Sequence, residues 1–376
     1  MRRNQEFSGK TTYPVAFGRN GNQHNPIRSQ GRDEMKAVQL IAHGVPGQFK
    51  YADVPDPVPA EGEVVIRVRA CGLNHLDLWL EEGALPMAVR LPRIAGSEIS
   101  GEVLATGSGV ADWRAGDRVA VQSNLFCGQC EFCVRGEESL CLRGQLLGVD
   151  RDGGFAEQVA VPASALVRLP AEVDFAASAA LTLAGSTAMH MLTQRAPVKA
   201  GDWVLVMGGA SGVGSAAIQI ARQLGARVIS TGSSEAKRQF ASSLGAGHVV
   251  DNSKPEWTSR VREITGKRGV DLVVEHVGGE VLQQCFTCLA RGGTIVTCGA
   301  TAGRELRLNL WAFFVKEQKL VGSYGRSRKD IQAVLEWAAQ GRIKQAIAHI
   351  FPLEQTPAAF AALRARQVMG KVVVSN

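Results

Sequence analysis

Two patterns of hydrophobic positions divide the chain near residue 184. From residue 35 onward, short β-branched runs such as KAVQLI, EVVIRVRAC and FAEQVAVP alternate with turns rich in Gly, Pro and Asp. Apolar and polar positions that alternate over a few residues, with such frequent turns, are typical of strands in a compact domain. Residues 35–184 are therefore predicted to form a β-rich domain.

From residue 185 short buried strands alternate with helices. DWVLVMGG has the pattern of a buried strand, GSAAIQIARQLG that of a small-residue helix, and further strands follow at ARVISTG, HVVD, GVDLVVEHV, GGTIVTCG and KLVGSY. This alternation predicts an α/β domain with a parallel, doubly wound sheet over residues 185–324. We expect residues 325–376, with a helix over Asp330–Gln340 and a last strand GKVVVS, to return to the first domain.

Composition narrows the class of protein. With 376 residues, 45% hydrophobic and 20% charged, the chain is typical of a globular protein with two domains. We expect residues 1–34, which lack apolar periodicity, to be a disordered extension, with an organelle transit peptide as the alternative. No apolar stretch is long enough for a bilayer, and a net charge of +7 without a basic run predicts no nucleic-acid partner. The expected location is the cytoplasm.

Half of the eight cysteines lie close together in LFCGQCEFCVRGEESLCLR. Four thiolates complete a tetrahedral zinc shell and leave no open position, so such a site holds a loop and does no chemistry. A disulfide is the weaker alternative, because nothing in the sequence indicates an oxidising compartment. Cys285 and Cys288 lie in a helical pattern without a partner pair and are interpreted as core residues. The predicted zinc ligands are Cys127, Cys130, Cys133 and Cys141.

VLVMGGASGVGSAAIQIA places a glycine-rich turn between a strand and a helix. Glycines there permit a tight turn and a close approach of backbone N–H groups to a pyrophosphate, so dinucleotide binding is favoured over a structural turn. The residues of this turn predicted to bind the cofactor are Gly209, Ser211, Gly212, Val213 and Gly214.

The end of the next strand indicates which dinucleotide is bound. NAD binders carry Asp or Glu about 20 residues after the turn, whereas VISTGSSEAKR has no carboxylate before Glu235. Small hydroxyls beside cations accept a 2′-phosphate, so we expect NADP(H). Alternatively, Lys237 and Arg238 are merely solvated helix residues. The remaining predicted cofactor-binding residues are Ser230, Thr231, Ser233, Lys237 and, in the last strand, Lys371.

The order of β-rich domain, cysteine lobe, Rossmann unit and C-terminal return over residues 35–376 resembles the medium-chain dehydrogenase/reductase superfamily. The resemblance implies a GroES-like first domain and one structural zinc in the cysteine lobe. It also locates the three ligands of the catalytic zinc of alcohol dehydrogenases, which fall here at Asn74, Ser97 and Leu183. The residue that relays the alcohol proton falls at Leu76. These residues are poor zinc ligands, and Cys71 alone does not hold a metal.

The remaining motifs resemble those of the zinc-independent branch of the superfamily, which contains the quinone oxidoreductases and the enoyl or alkenal reductases. GSEISG fits their G-x-E-x-x-G, NHLD their Asn-x-x-Asp, and GGASGVG their phosphate loop. The catalytic tyrosine of related enoyl-thioester reductases would fall near Leu85, where there is none. The substrate therefore stays open.

A conjugated substrate suits a site without a metal. Hydride attack on an enone, enoyl thioester or quinone gives an enolate that hydrogen-bond donors can hold. We therefore expect an NADPH-dependent reductase, with Asn74 as an orienting group, His75 as a donor to substrate or pyrophosphate, and Tyr324 as a proton donor. Their alternative roles are the cap of a helix from His75 to Glu82, a structural histidine and a subunit contact. Glu98 is interpreted as a buried structural carboxylate. A metal-dependent alcohol dehydrogenase and a non-catalytic NADPH sensor are the alternative functions.

An apolar segment precedes the last predicted Rossmann strand, Lys319–Tyr324, which should lie at the sheet edge. Such an edge invites pairing with a second copy, and many members of the superfamily dimerise there, so a homodimer or a dimer-based oligomer is expected. The alternative is a flap over the cofactor cleft of a monomer. The residues concerned are Leu308, Leu310, Trp311, Phe313 and Phe314.

Overall fold

A computed structural model describes residues 34–376, and the prediction for the N-terminal extension lies outside the described residues. The first part of the described chain is rich in strands. Its strands are β1 (Glu34–Ala42), β2 (Gln48–Pro55), β3 (Glu63–Gly72), β4 (Arg93–Ile94), β5 (Glu98–Thr106), β6 (Arg118–Val121), β7 (Asn124–Leu125), β8 (Gln145–Leu146), β9 (Gln158–Pro162) and β10 (Leu166–Arg168). Its helices are α1 (His75–Glu82) and α2 (Glu131–Val134).

The second part alternates strands and helices. Its strands are β11 (Trp203–Val206), β12 (Arg227–Thr231), β13 (His248–Val250), β14 (Val270–Glu275), β15 (Leu289–Thr297), β16 (Lys319–Gly322), β17 (Ile347–Pro352) and β18 (Lys371–Ser375). Its helices are α3 (Phe175–Leu181), α4 (Ala184–His190), α5 (Gly212–Gln223), α6 (Glu235–Ser243), α7 (Trp257–Ile264), α8 (Gly279–Cys288), α9 (Leu310–Val315), α10 (Arg328–Ala339) and α11 (Thr356–Arg364).

The six-stranded sheet has the order β13-β12-β11-β14-β15-β16, and every pair in it is parallel. Both of its faces are covered, since α4, α5 and α10 pack on one side and α7 and α8 on the other. A strand buried on both faces needs a continuous apolar run, which WVLV of β11 supplies. The predicted doubly wound Rossmann sheet is confirmed.

The last strands return to the first domain, the GroES-like domain. β18 pairs antiparallel with β3 and parallel with β17 in a sheet of order β10-β6-β5-β3-β18-β17, with β9 also on β3. Ile331, Val334 and Leu335 of α10 lie on one helical face and pack in a core that contains residues of α4 and α5 and also residues of the first domain. The boundary at residue 325 stays a prediction.

No single helix within residues 34–376 is long and apolar enough to cross a membrane. One bent pair, Phe175–Leu181 with Ala184–Arg195, meets the length and composition required, with 43° between the helices. Ala179, Ala184 and Ala188 of this pair are at most 1% exposed, as expected for helices of a protein core.

The edge position predicted for the last Rossmann strand is confirmed, although β16 ends at Gly322 and not at Tyr324. The apolar segment before it divides in two. Leu308 and Phe313 pack inward, and the ring of Phe313 meets Phe286 edge-on at 6.0 Å between ring centroids. Trp311 is 72% exposed, and Leu310 and Phe314 are also exposed, on a short helix that precedes the edge strand.

We propose that this apolar edge pairs with a second copy of the chain, because exposed apolar patches beside an unpaired edge mark interaction surfaces. Trp311→Glu should halve the mass measured by light scattering at micromolar concentration. Val58→Glu, at an apolar side chain that is 83% exposed on the other domain, is the matched control. A wild-type mass near 40.1 kDa would reject the dimer.

Candidate functional site

The glycine-rich turn lies between β11 and α5 at the carboxyl edge of the sheet. Ser211 caps α5 and its hydroxyl accepts from the N–H of Gly214 at 2.9 Å. A side chain on Gly209 would collide with the hydroxyl of Ser230, and one on Gly214 with the carbonyl of Gly208. The free first-turn N–H groups of a helix, together with its dipole, form an anion site. The turn therefore fits a pyrophosphate.

Ser230 and Thr231 take a different place from the one predicted. Both are fully buried beneath the turn. The Ser230 hydroxyl donates to the carbonyl of Val206 at 3.1 Å, and the Thr231 hydroxyl accepts from the N–H of Gly208 at 3.0 Å. They stabilise the phosphate loop, because their hydroxyls form hydrogen bonds with the backbone of β11 and of the turn that follows it. They do not present hydroxyls to a ribose.

The groups accessible at the end of β12 are Ser233 and the first turns of α6. Lys237 is half-buried, and its Nζ donates to the carbonyl of Arg366 at 2.8 Å. Arg238 is more constrained, since it pairs with Glu235 at 2.8 Å and Asp251 at 3.0 Å. Lys237 is thus the cation that can turn to a ligand at the cost of one hydrogen bond.

A buried charged cluster lies beside the phosphate loop. Lys371 Nζ donates to Glu98 Oε2 at 2.6 Å, to Asn74 Oδ1 at 2.7 Å and to the carbonyl of Leu73 at 2.6 Å. Its stem passes so close to Gly212 that a Cβ there would lie 2.6 Å from Lys371 Cδ. The amine of Lys371, predicted to bind the cofactor, is thus committed to the first domain while its stem contacts the loop.

Glu98 is the centre of this cluster. It is fully buried, which agrees with its interpretation as a structural carboxylate. Its Oε1 accepts from the N–H groups of Leu183 at 2.6 Å and Ala184 at 3.1 Å, at the start of α4. The helix N-terminus and the Lys371 ammonium together compensate the carboxylate charge. The sequence analysis missed this partnership, because 273 residues separate the two side chains.

Asn74 precedes α1, and the predicted helix from His75 to Glu82 is confirmed. The Asn74 side chain has a further role, since Nδ2 donates to Glu98 Oε2 at 3.0 Å and to the carbonyl of Gly72 at 3.3 Å. Both amide hydrogens are therefore used, and only Oδ1 can serve a ligand. In NHLD, Asp77 accepts from the N–H of Asn74 at 2.8 Å and burial raises its pKa to about 6.

The three positions of a catalytic zinc do not form a ligand set. Asn74 Oδ1 accepts from Lys371, the Ser97 hydroxyl donates to the carbonyl of Leu147 at 2.8 Å, and Leu183 has no donor atom. Burial, followed by the Asp77 carboxylate, raises the pKa of the Cys71 thiol well above its usual value. Cys71 would be a single thiol without a second good ligand beside it, so this part of the cleft does not fit a zinc ion.

His75 is half-buried at the start of α1. Within residues 34–376 its ring has no hydrogen-bond partner, and burial together with His276, Arg366 and Lys371 lowers its pKa to about 4. His276 lies under the phosphate loop, with Nε2 at 3.2 Å from the Ser211 hydroxyl. His75 is thus neutral at pH 7 and stands among cationic groups close to the loop, which favours the pyrophosphate role.

Tyr324 follows the edge strand and is 61% exposed. The structure therefore places it at the exposed edge of the sheet rather than in an enclosed part of the cleft. Its position favours the alternative of a subunit contact over that of a proton donor.

The four lobe cysteines lie together, with all their sulfur atoms within 4.8 Å of one another. Cys130 Sγ is 3.5 Å from Cys133 Sγ and 3.9 Å from Cys141 Sγ, and Cys127 Sγ is 3.9 Å from Cys133 Sγ. Tetrahedral zinc with bonds of about 2.3 Å requires sulfurs about 3.8 Å apart. The cluster therefore fits a zinc ion with a closed shell.

The lobe favours the thiolate form at Cys127 and Cys130 but not at Cys133. Backbone N–H groups of Gln129 and Cys130 lower the pKa of Cys127 to about 5, whereas burial raises that of Cys133 to about 12. A bound metal would displace the remaining protons. Cys285 and Cys288 are buried on α8, as predicted for core residues.

Comparison with known proteins agrees with this geometry. Residues 60–171 match the family model of the alcohol dehydrogenase GroES-like domain, and residues 212–340 match that of the zinc-binding dehydrogenases. An alcohol dehydrogenase of Geobacillus stearothermophilus is 32% identical over 342 residues, which cover 90% of this chain and 99% of that protein.

Two solved structures are also similar. An NAD-dependent alcohol dehydrogenase is 38% identical with a TM-score of 0.88, over 91% of this chain and all of that one. The crotonyl-CoA carboxylase/reductase AntE, in complex with NADP, is 25% identical with a TM-score of 0.86, over 93% of this chain and 96% of that one. The chain belongs to the medium-chain dehydrogenase/reductase superfamily and is an oxidoreductase of that family.

The buried cluster generates a stability prediction. Glu98→Gln leaves the Lys371 ammonium buried without its anion, and removal of one partner of such a pair costs about 3–5 kcal/mol. Urea unfolding followed by fluorescence measures the loss. Glu102→Gln, on the same strand, removes the half-exposed pair with Arg69 at 3.2 Å and should cost less than about 1 kcal/mol. Equal losses in the two variants would contradict the assignment of Glu98 as the centre of the cluster.

Proposed function

We propose that this protein is an NADPH-dependent reductase that reduces a conjugated C=C bond or a quinone without a catalytic metal. The observation that carries the proposal is the donor set at Asn74, Ser97 and Leu183, which offers no zinc ligand. Among residues 34–376, the cysteine lobe is the one group of three or more Cys, His, Asp or Glu side chains placed to hold a metal.

The chemistry follows from that constraint. Reduction of an isolated ketone puts a full negative charge on one oxygen, which a metal ion would stabilise. An enone, enoyl thioester or quinone spreads the charge over a conjugated system, so hydrogen-bond donors suffice. Bound NADPH would supply a hydride and be oxidised to NADP+. A proton from solvent would complete the reduction, on the α-carbon of an enone or enoyl thioester or on an oxygen of a quinone.

In this proposal the residues of the chain bind and orient the cofactor and the substrate. The first-turn amides of α5 fit the pyrophosphate, and neutral His75 can donate one further hydrogen bond to it. Asn74 Oδ1, fixed by Lys371, can accept from a ribose or substrate hydroxyl. Lys371 and Glu98 hold Asn74 in place, so they act as positioning residues.

The proposal is tested by the oxidation of NADPH with a panel of conjugated enones, an enoyl thioester and a quinone. Oxidation of primary and secondary alcohols with NADP+ and added zinc is measured in parallel. We expect turnover with the conjugated panel and none with the alcohols. Faster alcohol oxidation would contradict the proposal and identify the protein as an alcohol dehydrogenase. Cofactor binding without any turnover would favour the sensor.

The preference for NADPH rests on the residues that follow β12, Gly232 and Ser233. Neither is a carboxylate, and half-buried Lys237 lies one turn further on. One similar structure is of an NAD-dependent enzyme and another holds NADP, so the preference must be argued from these residues.

We predict that Gly232→Asp or Ser233→Asp shifts the ratio of kcat/KM for NADPH over NADH by at least about tenfold towards NADH, since a carboxylate repels the 2′-phosphate. The Gly232→Asp side chain would crowd the backbone of Arg238, whose N lies 3.1 Å from a Cβ at this position. Ser233 is exposed, so its variant is the safer one. Ser242→Asp, on the exposed side of α6, is the control. Equal use of both cofactors by the wild type would contradict the argument.

For the cysteine lobe we propose one structural zinc per chain. Elemental analysis should find about one zinc that resists mild chelation, because a closed shell has no exchange position. Cys130→Ser should lower both the zinc content and the melting temperature, whereas Cys298→Ser, outside the lobe, should leave the zinc content unchanged. Two zinc ions per wild-type chain would contradict the absence of a catalytic metal site.

A further inference from the structure

Beyond the cofactor site, a buried arginine lies at the carboxyl edge of the Rossmann sheet. Arg326 follows β16 by four residues and is 4% exposed. Nη2 donates to the hydroxyl of Ser123, in the first domain, and its carbonyl accepts from Gln122 Nε2 at 3.3 Å. Ligands of open α/β sheets bind at this edge, outside the carboxyl ends of the strands. Arg326 therefore lies at the edge of the sheet where ligands of this fold class bind, in contact with the first domain.

The charge of Arg326 is not compensated. Within residues 34–376 no carboxylate forms an ion pair with it, although two carboxylates act on it at longer range, Glu98 and Asp330. Both are committed elsewhere, Glu98 to Lys371 at 2.6 Å and Asp330 to His190 at 2.9 Å. Burial lowers the pKa of Arg326 to about 10, so it keeps its charge at neutral pH. A buried charge without a partner is costly, which indicates that an anion is missing.

Unsatisfied polar atoms lie on Arg326 itself and on residues close to it. Arg326 Nε and the hydroxyl of Ser323 are buried and have no hydrogen-bond partner in the described chain, and the same holds for Gln122 Oε1 and Asn124 Oδ1. Asn124 lies against Gly325, where a Cβ would come within 3.0 Å of its amide. Buried polar groups are ordinarily paired, and the two donors among these atoms, Arg326 Nε and the Ser323 hydroxyl, are available to an anion.

The subsite adjoins the cluster around Glu98. The carbonyl of Ser123 accepts from the N–H of Leu147 at 2.9 Å, and the carbonyl of Leu147 accepts from the Ser97 hydroxyl at 2.8 Å. Ser97 directly precedes Glu98 in sequence. Glu98 also acts on the charge of Arg326 at longer range, so the guanidinium lies near the positions of Asn74, Ser97 and Leu183.

We propose that Arg326, with Ser123 and Ser323, binds a carboxylate carried by the conjugated substrate. A guanidinium recognises a carboxylate through two parallel hydrogen bonds, and Nε is free for one of them. The substrate class is thus an α,β-unsaturated carbonyl compound with a free carboxylate at its far end. This inference rests on the proposed function for the identity of the reacting group, but the anion subsite stands on its own contacts.

The test compares acetylacrylate with its methyl ester, which lacks the negative charge. Isothermal titration with the full chain and saturating NADP+ measures binding without turnover. We expect the acid to bind at least about tenfold more tightly than the ester, as for hydrogen bonds to charged groups. Arg326→Met should bring the ratio of the two affinities to within about twofold. Arg326→Lys should keep part of the ratio, because the charge remains while the planar fork is lost.

Two further variants separate recognition from folding. Asn124→Asp keeps the shape of the side chain but adds an anion next to Gly325, so it should weaken binding of the acid without lowering the melting temperature. Arg328→Met removes a half-exposed cation of the same segment, paired with Glu138 at 3.3 Å, and should leave the ratio unchanged. A wild-type ratio below about twofold, or a ratio that survives both Arg326→Met and Asn124→Asp, would overturn the proposal.

NADPH oxidation with the same two compounds distinguishes this inference from the proposed function. Equal turnover of acid and ester, independent of Arg326, would leave the reductase and reject the carboxylate subsite. Arg326-dependent binding of the acid without reduction of either compound would leave the subsite and reject the reductase.

Discussion

The ion pair between Lys371 and Glu98 is the contact on which the cleft depends. Lys371 begins the last strand, and its amine also holds Asn74 at the start of α1, while Glu98 accepts from the first amides of α4. The Lys371 stem lies against Gly212 of the phosphate loop. One buried charge thus joins the C-terminal strand, two helix N-termini and the cofactor turn, so the phosphate loop is supported by residues of both domains.

This arrangement explains how the cleft tolerates the loss of metal ligands. A dication beside Glu98 would need anionic or neutral ligands, but the Glu98 charge is already balanced by Lys371 and by the α4 dipole. Lys371 also donates a hydrogen bond to the side-chain oxygen of Asn74, and burial raises the pKa of the Cys71 thiol, which keeps it protonated. The positive charge that a metal would bring is supplied by fixed side chains, which do not exchange.

The fold was predictable where the pattern is local. The strand β11, the helix His75–Glu82 and the cysteine spacing depend on neighbouring residues, and the structure has each of them as expected. The buried ion pair in the cleft could not be predicted from the sequence, because Lys371 and Glu98 are far apart along the chain. Whether Ser230 faces solvent depends on the pleat of β12 and on the loop above it. Arg326 lies in a basic stretch, GRSRK, that by composition resembles a solvated helix start.

The replacement of metal ligands also limits the chemistry. A divalent ion can hold a charge localised on one oxygen, whereas a fixed hydrogen-bond donor contributes only a few kcal/mol even in a dry site. That difference matters least when a conjugated system already spreads the charge, and most for a simple ketone, whose charge is localised on one oxygen. The proposed double-bond reduction therefore rests on three side chains of the cleft, Asn74, Ser97 and Leu183, because none of them offers a ligand for the metal ion that would stabilise a localised charge.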